Sequence, residues 1–241
     1  MMSRLYRLLL IFSVLFTVLF MGPAFLSGPF QPYPLMKLGD VLDLLTPLIL
    51  LPLYWLVLEL SPEKPPSRGE NLVFLVLAAL WVEGQGMHLA ANSIGHLLKD
   101  VMGSAVYTLT DFYDEVLSHY LWHFGVVALS VLLLYRQWRH SFSGEKRGLV
   151  LGIVAGILYG FVYFTLIVEA QTAPLGVPFA VLVPVFALVW GRNEFKRQPV
   201  LVFFAVASLV ALGFFIGWAI YWRDLPELLP EFSHPVVGII D

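Results

Sequence analysis

A chain of 241 residues that is 59% hydrophobic and only 13% charged lacks the polar surface of a soluble domain, where about 25% of residues are charged. Its formal charge of −3, with no basic patch, excludes nucleic acid as a partner, and the lack of any cysteine excludes disulfides, iron–sulfur clusters and thiolate metal sites. A polytopic membrane protein remains, with the lipid bilayer as its first partner.

Seven apolar runs reach or approach the roughly 20 residues that carry a helix across hydrocarbon. They are predicted at about Leu5–Leu26, Lys37–Leu60, Asn71–Leu98, Phe112–Trp138, Leu149–Thr172, Leu175–Trp190 and Val200–Trp222. Backbone polar groups in lipid must be paired inside their own segment, so all seven are expected to be helical. The fold class is therefore all-α, a single seven-helix transmembrane domain over residues 1–241. Gly22-Pro23, Gly28-Pro29, the Ser61–Glu70 loop with Pro62, Pro65 and Pro66, Arg139–Arg147, Thr172-Ala-Pro174 and Gly191–Pro199 supply the breaks. A basic Met1–Arg7 ahead of apolar Leu8–Phe20 also fits a secretory signal, which would leave six spans; the retained span is preferred. No internal repeat survives inspection.

Orientation follows from the loop cations. Of the 14 Lys and Arg residues, Arg4, Arg7, Lys64, Arg68, Arg136, Arg139, Lys146, Arg147, Arg192, Lys196 and Arg197 fall on one side, and Lys37, Lys99 and Arg223 on the other. The N-terminus is thus expected in the cytoplasm and the acidic C-terminal tail outside, in a plasma or inner membrane.

The informative positions are polar ones inside the spans. On the third, His88, Asn92 and His96 recur every four residues, with Gln85 three before His88. On the fourth, Asp111, Glu115, His119 and His123 make an equally regular stripe, with Asp114 beside it. Thr165 and Glu169 on the fifth span and Asp43 on the second add shorter stripes at similar depth. Together they predict a polar cavity open to the outer side, above an inner half with almost nothing ionisable. His140 and His234 fall in loop and tail and carry no role. Glu83 is the awkward member, about 140° from His88 on a regular helix, unless Gly84 and Gly86 permit a kink.

Ionisable groups within spans are costly and mark function by default. Imidazoles and carboxylates on facing helices suit zinc, iron or manganese. His119 and His123, one helical turn apart, can share an ion, with His88 as third ligand and His96 as a further candidate. Glu115 or Glu83 is the expected general base, and Asn92, Gln85, Asp111, Asp114, Glu169, Asp43 and Thr165 line or support the pocket. An open coordination position would hold a water made acidic by the metal.

Seven helices, His119-x-x-x-His123, a third histidine on another span and nearby acids resemble the alkaline ceramidase and adiponectin-receptor superfamily of membrane hydrolases. The resemblance covers helix count and ligand set. The histidine pair stands here on the fourth span rather than the last, and Gly84 occupies the place of that family's serine, four residues before a histidine. It implies a zinc-bound water cleaving lipid amides or related bonds. The expected function is accordingly a metal-dependent hydrolase acting on a lipid or small hydrophobic substrate from the outer leaflet. The alternatives are a non-haem iron or di-iron oxidase or hydroxylase, and a non-catalytic transporter, metal-handling or ligand-sensing protein. Oligomeric state leaves no trace in the pattern.

Overall fold

The computed structural model describes residues 2–33, 36–60, 64–141, 148–190 and 195–222. Seven of its helices are long and apolar enough to cross a membrane, the number expected. They are α1 (Met2–Met21), α2 (Leu38–Leu60), α3 (Arg68–Gly95), α4 (Ala105–Arg139), α5 (Leu149–Glu169), α6 (Ala173–Trp190) and α7 (Pro199–Trp222). No strand occurs among the described residues; Pro29 and Lys37 make one isolated antiparallel bridge. Pro62, Lys146, Arg147, Arg192, Arg223, His234 and the acidic tail lie outside the described residues.

Local chemistry sets the helix ends. The first span was expected to reach Leu26, but α1 stops at Met21 because Pro23 has no N–H to continue the ladder, and Pro23–Phe25 turns once as a 3-10 helix. Helix α3 begins three residues before the expected Asn71. Its Ser67 hydroxyl accepts from the Glu70 N–H at 3.2 Å, while the Glu70 carboxylate accepts from the Ser67 N–H at 2.7 Å, a reciprocal capping box. Helix α5 ends at Glu169 instead of Thr172. Gln171 takes the left-handed conformation with φ 51°, its N–H bonds the Val168 carbonyl, and the Thr172 N–H bonds the Ile167 carbonyl. That is a Schellman motif, and it holds Thr172 in one place just past the helix.

Packing is most extensive between α5 and α7, α3 and α4, and α1 and α5. The centre is aromatic: Phe12 lies 4.8 Å from Tyr54 and 5.8 Å from Tyr159, and Tyr159 lies 5.2 Å from Phe203, ring centre to ring centre. Buried hydroxyls need partners, and the Tyr54 hydroxyl meets those of Ser130 at 3.2 Å and Tyr159 at 3.3 Å. Between α3 and α4 the backbones nearly touch. A Cβ on Gly84 would stand 2.5 Å from the Trp122 nitrogen and 2.6 Å from the Ser118 carbonyl oxygen. Small residues allow such crossings in membranes, where apolar surface alone gives helices no reason to associate.

One end of the bundle is closed by Arg136. It was expected as a loop cation, but it lies within α4 and is fully buried. Its Nε donates to the Leu58 carbonyl at 2.9 Å, Nη1 to the Glu70 carboxylate at 2.9 Å, and Nη2 to the Lys64 carbonyl. The expectation of a loop cation is corrected accordingly. Position alone did not distinguish a solvated cation at a helix end from one folded back under its neighbours.

Candidate functional site

The opposite end of α3 and α4 carries the histidines. Because Gly84 lets the two helices cross in contact, His88, one turn beyond, is set over α4. Its ring centre is 4.8 Å from that of His119 and 5.9 Å from that of Trp122. His119 and His123 lie 5.9 Å apart with their planes only 9° from parallel, as one turn of α-helix requires.

The fourth span was expected to be a regular helix, with Glu115 in line with His119 and His123. Phe112–Ser118 is instead a π-helix, with a turn wider than the α-helical one. Five residues then make a turn in place of four, and the residue brought over the histidines is Asp114. Its Oδ1 lies 2.8 Å from His88 Nδ1, both side chains being mostly buried. Glu115 is rotated outward, its side chain 39% exposed and its Oε2 3.8 Å from His119 Nδ1. The Ser118 hydroxyl donates to the Asp114 carbonyl inside the same turn. The sequence holds no proline or glycine to announce the π-turn; the i, i+5 spacing of Asp114 and His119 is its only trace.

His88 Nδ1 has only the charge contact with Asp114, whereas the other two imidazoles are hydrogen-bonded through Nδ1. His119 Nδ1 donates to the Glu115 carbonyl at 3.0 Å, and His123 Nδ1 lies 2.5 Å from the Thr172 hydroxyl. A carbonyl can only accept, so His119 carries its proton on Nδ1. The fully buried Nε2 of His123 has no hydrogen-bond partner, and neither does the buried Trp122 Nε1 wedged among the three rings. Trp122 and Thr172 escaped the sequence reading. Trp122 sits inside the His119–His123 turn but looks like any lipid-facing aromatic, and Thr172 is 49 residues from His123 in sequence.

Above the rings opens a cavity of about 270 Å³, lined by Asn92, His96, Asp111, Asp114 and Glu115 among others. The two long stripes therefore do converge, with Asn92 and His96 climbing one wall and Asp111, Asp114 and Glu115 the other. At the rim the Lys37 ammonium lies 3.2 Å from His96 Nε2. Asp40 accepts from the Lys37 N–H at 2.7 Å, just ahead of α2.

Four expected site residues, Gln85, Thr165, Glu83 and Glu169, do not line this cavity. Gln85 is a tie between helices: its Oε1 accepts from Trp81 Nε1 at 2.7 Å and its Nε2 donates to the Asp43 carbonyl at 3.1 Å. Asp43 lends only its backbone carbonyl to this tie, and its half-buried carboxyl lies within electrostatic reach of His88. Thr165 donates to the Val162 carbonyl of its own helix at 2.8 Å and lines a different, apolar groove with Phe161, Phe214 and Trp218. Glu83 is exposed on the far face of α3, because the helix runs on regularly through Gly84 and Gly86 and no kink returns it to the His88 side. Glu169 ends α5, half-buried.

Among the described residues no three His, Asp or Glu side chains converge as a ready metal-ion group. The donors are neighbours but do not meet at one point. Scans against protein-family models, curated proteins and solved structures return no match for this chain.

Proposed function

We propose that the chain is an integral-membrane, metal-dependent hydrolase whose site opens to the outer side of the membrane, and that His88, His119 and His123 hold a transition-metal ion, zinc before iron or manganese. One observation carries this reading. Three adjacent imidazoles each have Nδ1 beside a carboxylate, carbonyl or hydroxyl, and the buried Nε2 of His123 is left without a partner. Ligating histidines are held in this way, their second nitrogen tied to a carboxylate, carbonyl or hydroxyl that sets ring and tautomer. Since the donors do not yet meet, ion binding has to draw the rings together. The metal would supply Lewis acidity and an activated water when bound.

The chain's own groups divide the remaining work. Asp114 orients His88. Glu115, on the cavity wall and more exposed, is the proton acceptor, while Asn92 and His96 with Lys37 form a polar entrance. The outward orientation rests on the loop cations, ten of which are assigned to the side on which Arg136 is buried. A lipid or small hydrophobic substrate follows from a site embedded beside hydrocarbon, and hydrolysis from the resemblance in ligand set.

A second reading is favoured by the lack of convergence. Asp114, His88, His119, His123 and Thr172 run as a chain from the cavity wall to a fully buried ring, which suits holding or passing a proton without metal. Elemental analysis separates the two. Native protein purified without chelator should carry near-stoichiometric metal, and His119→Ala only traces. Far-substoichiometric metal in the native protein sinks the hydrolase and leaves the proton chain. Zinc directs the next assay to lipid amides and esters. Iron turns it to oxygen consumption and to the oxidase alternative.

A further inference from the structure

The cavity above the imidazoles carries opposite charges on its two walls. Lys37 and Lys99 are the only Lys or Arg residues among those described that the loop count assigns to this side of the bundle. Both stand at the cavity, Lys99 in its lining and Lys37 on its rim. Cations are scarce on the side away from the basic loops, so two beside one opening are not background.

Lys37 is half-buried, and its ammonium has one polar contact among the described residues, His96 Nε2 at 3.2 Å. A neutral imidazole accepts that hydrogen bond but leaves the positive charge uncompensated. The nearby Asp40 carboxylate accepts from the Lys37 backbone N–H instead. Asn92, one turn before His96 on the same wall, makes no side-chain hydrogen bond among the described residues. An ammonium, an imidazole and a free amide together offer donors to the oxygens of an anion.

The facing wall is acidic. Asp114 lies against His88, and Asp111 and Glu115 give that wall its remaining charge. A plain anion on Lys37 would be repelled across the cavity, and a plain cation would meet two lysines. A group carrying both charges is matched by both walls. The volume of about 270 Å³ falls below the roughly 300–1,000 Å³ of sites that enclose a whole drug-sized ligand, so it suits a headgroup whose tails stay in lipid.

We propose that this cavity binds a zwitterionic phosphoester, the headgroup class of an aminophospholipid, with its phosphate on Lys37, His96 and Asn92 and its ammonium against Asp111 and Glu115. The proposal rests on reading the cavity as the entrance to the histidine site, and it makes the substrate of that reading a lipid with a charged headgroup.

Native mass spectrometry of the full-length protein in detergent, titrated with phosphatidylethanolamine, phosphatidylglycerol or diacylglycerol, reads binding without turnover. Phosphatidylethanolamine should bind about tenfold more tightly than either of the others. Lys37→Gln should lose about that factor and Lys37→Arg should keep it, while Arg68→Gln, the same change in charge at the other end of α3, should have no effect. Asp111→Asn should erase the preference over phosphatidylglycerol. Displacement by soluble glycerophosphoethanolamine identifies a free ester as the ligand, and displacement by the lipid alone identifies the membrane; both support the proposal. Equal binding of diacylglycerol, or native binding by Lys37→Gln, overturns it. Metal-free His119→Ala should bind the headgroup as native protein does, so failure of the metal analysis leaves this result standing. Failure of the titration leaves the hydrolase with an uncharged lipid.

Discussion

The two ends of the α3–α4 pair bury polar groups in opposite ways. At one end Arg136 is wholly enclosed, and each of its donor nitrogens, Nε, Nη1 and Nη2, has an acceptor. At the other, three imidazoles and an indole are packed together beneath a cavity, with His123 Nε2 and Trp122 Nε1 unpartnered. A buried cation with each of its three nitrogens bonded joins α2, α3 and α4. Unpartnered buried nitrogens carry a desolvation penalty that a ligand, proton, ion or water can relieve. The first is a staple and the second a candidate site, although both are ionisable residues inside apolar helices.

Substitutions can break or sharpen this contrast. The largest effect is expected from Arg136→Leu, which strands the Glu70 carboxylate and two carbonyls; thermal or denaturant unfolding in detergent should show a loss of about 3 kcal/mol. The metal content of whatever remains folded should be unchanged per molecule. Equal loss of metal and fold at several temperatures would instead tie the two ends into one cooperative unit. Next comes Gly84→Ala, whose methyl group meets the α4 backbone at 2.5 Å and has to force the helices apart. A loss of about 1–3 kcal/mol is expected, with metal binding falling further than stability because His88 rides on that crossing. Unaltered metal binding would show that the crossing does not position the site.

The smallest and most discriminating pair is Asp114→Asn against Glu115→Gln. With Asp114 as the partner of His88, its change should weaken metal binding about 10- to 100-fold. Glu115→Gln should leave binding near native and lower only turnover. Titration with zinc or manganese reads the two directly, and a reversed order would mean that α4 is a regular helix there.

Much of this was legible in residue order. Seven apolar runs, their breaks and the two four-residue stripes were enough to place Asn92, His96, Asp111 and Glu115 around one cavity and His88 across from His119. The exchange of Glu115 for Asp114 was not legible, because a π-turn alters phase without any residue that signals it. The burial of Arg136 was not, because its acceptors come from the end of α2, the connection after it and the start of α3. The Thr172 contact was missed because it depends on a helix terminus closed by Gln171 in a conformation usually left to glycine.

By itself the sequence determined that the chain is a bundle of helices long and apolar enough to cross a membrane and that its histidines and acids gather on α3 and α4. Hydrophobic length and helical period are local properties, and lipid leaves the backbone no other choice. Only the tertiary structure decided which carboxylate meets His88, which arginine is a staple, and that Glu83 faces away from the site. Those outcomes depend on where one helix crosses another and on the phase each carries to the crossing, and a backbone contact such as that of Gly84 with Ser118 and Trp122 has no counterpart within either helix alone.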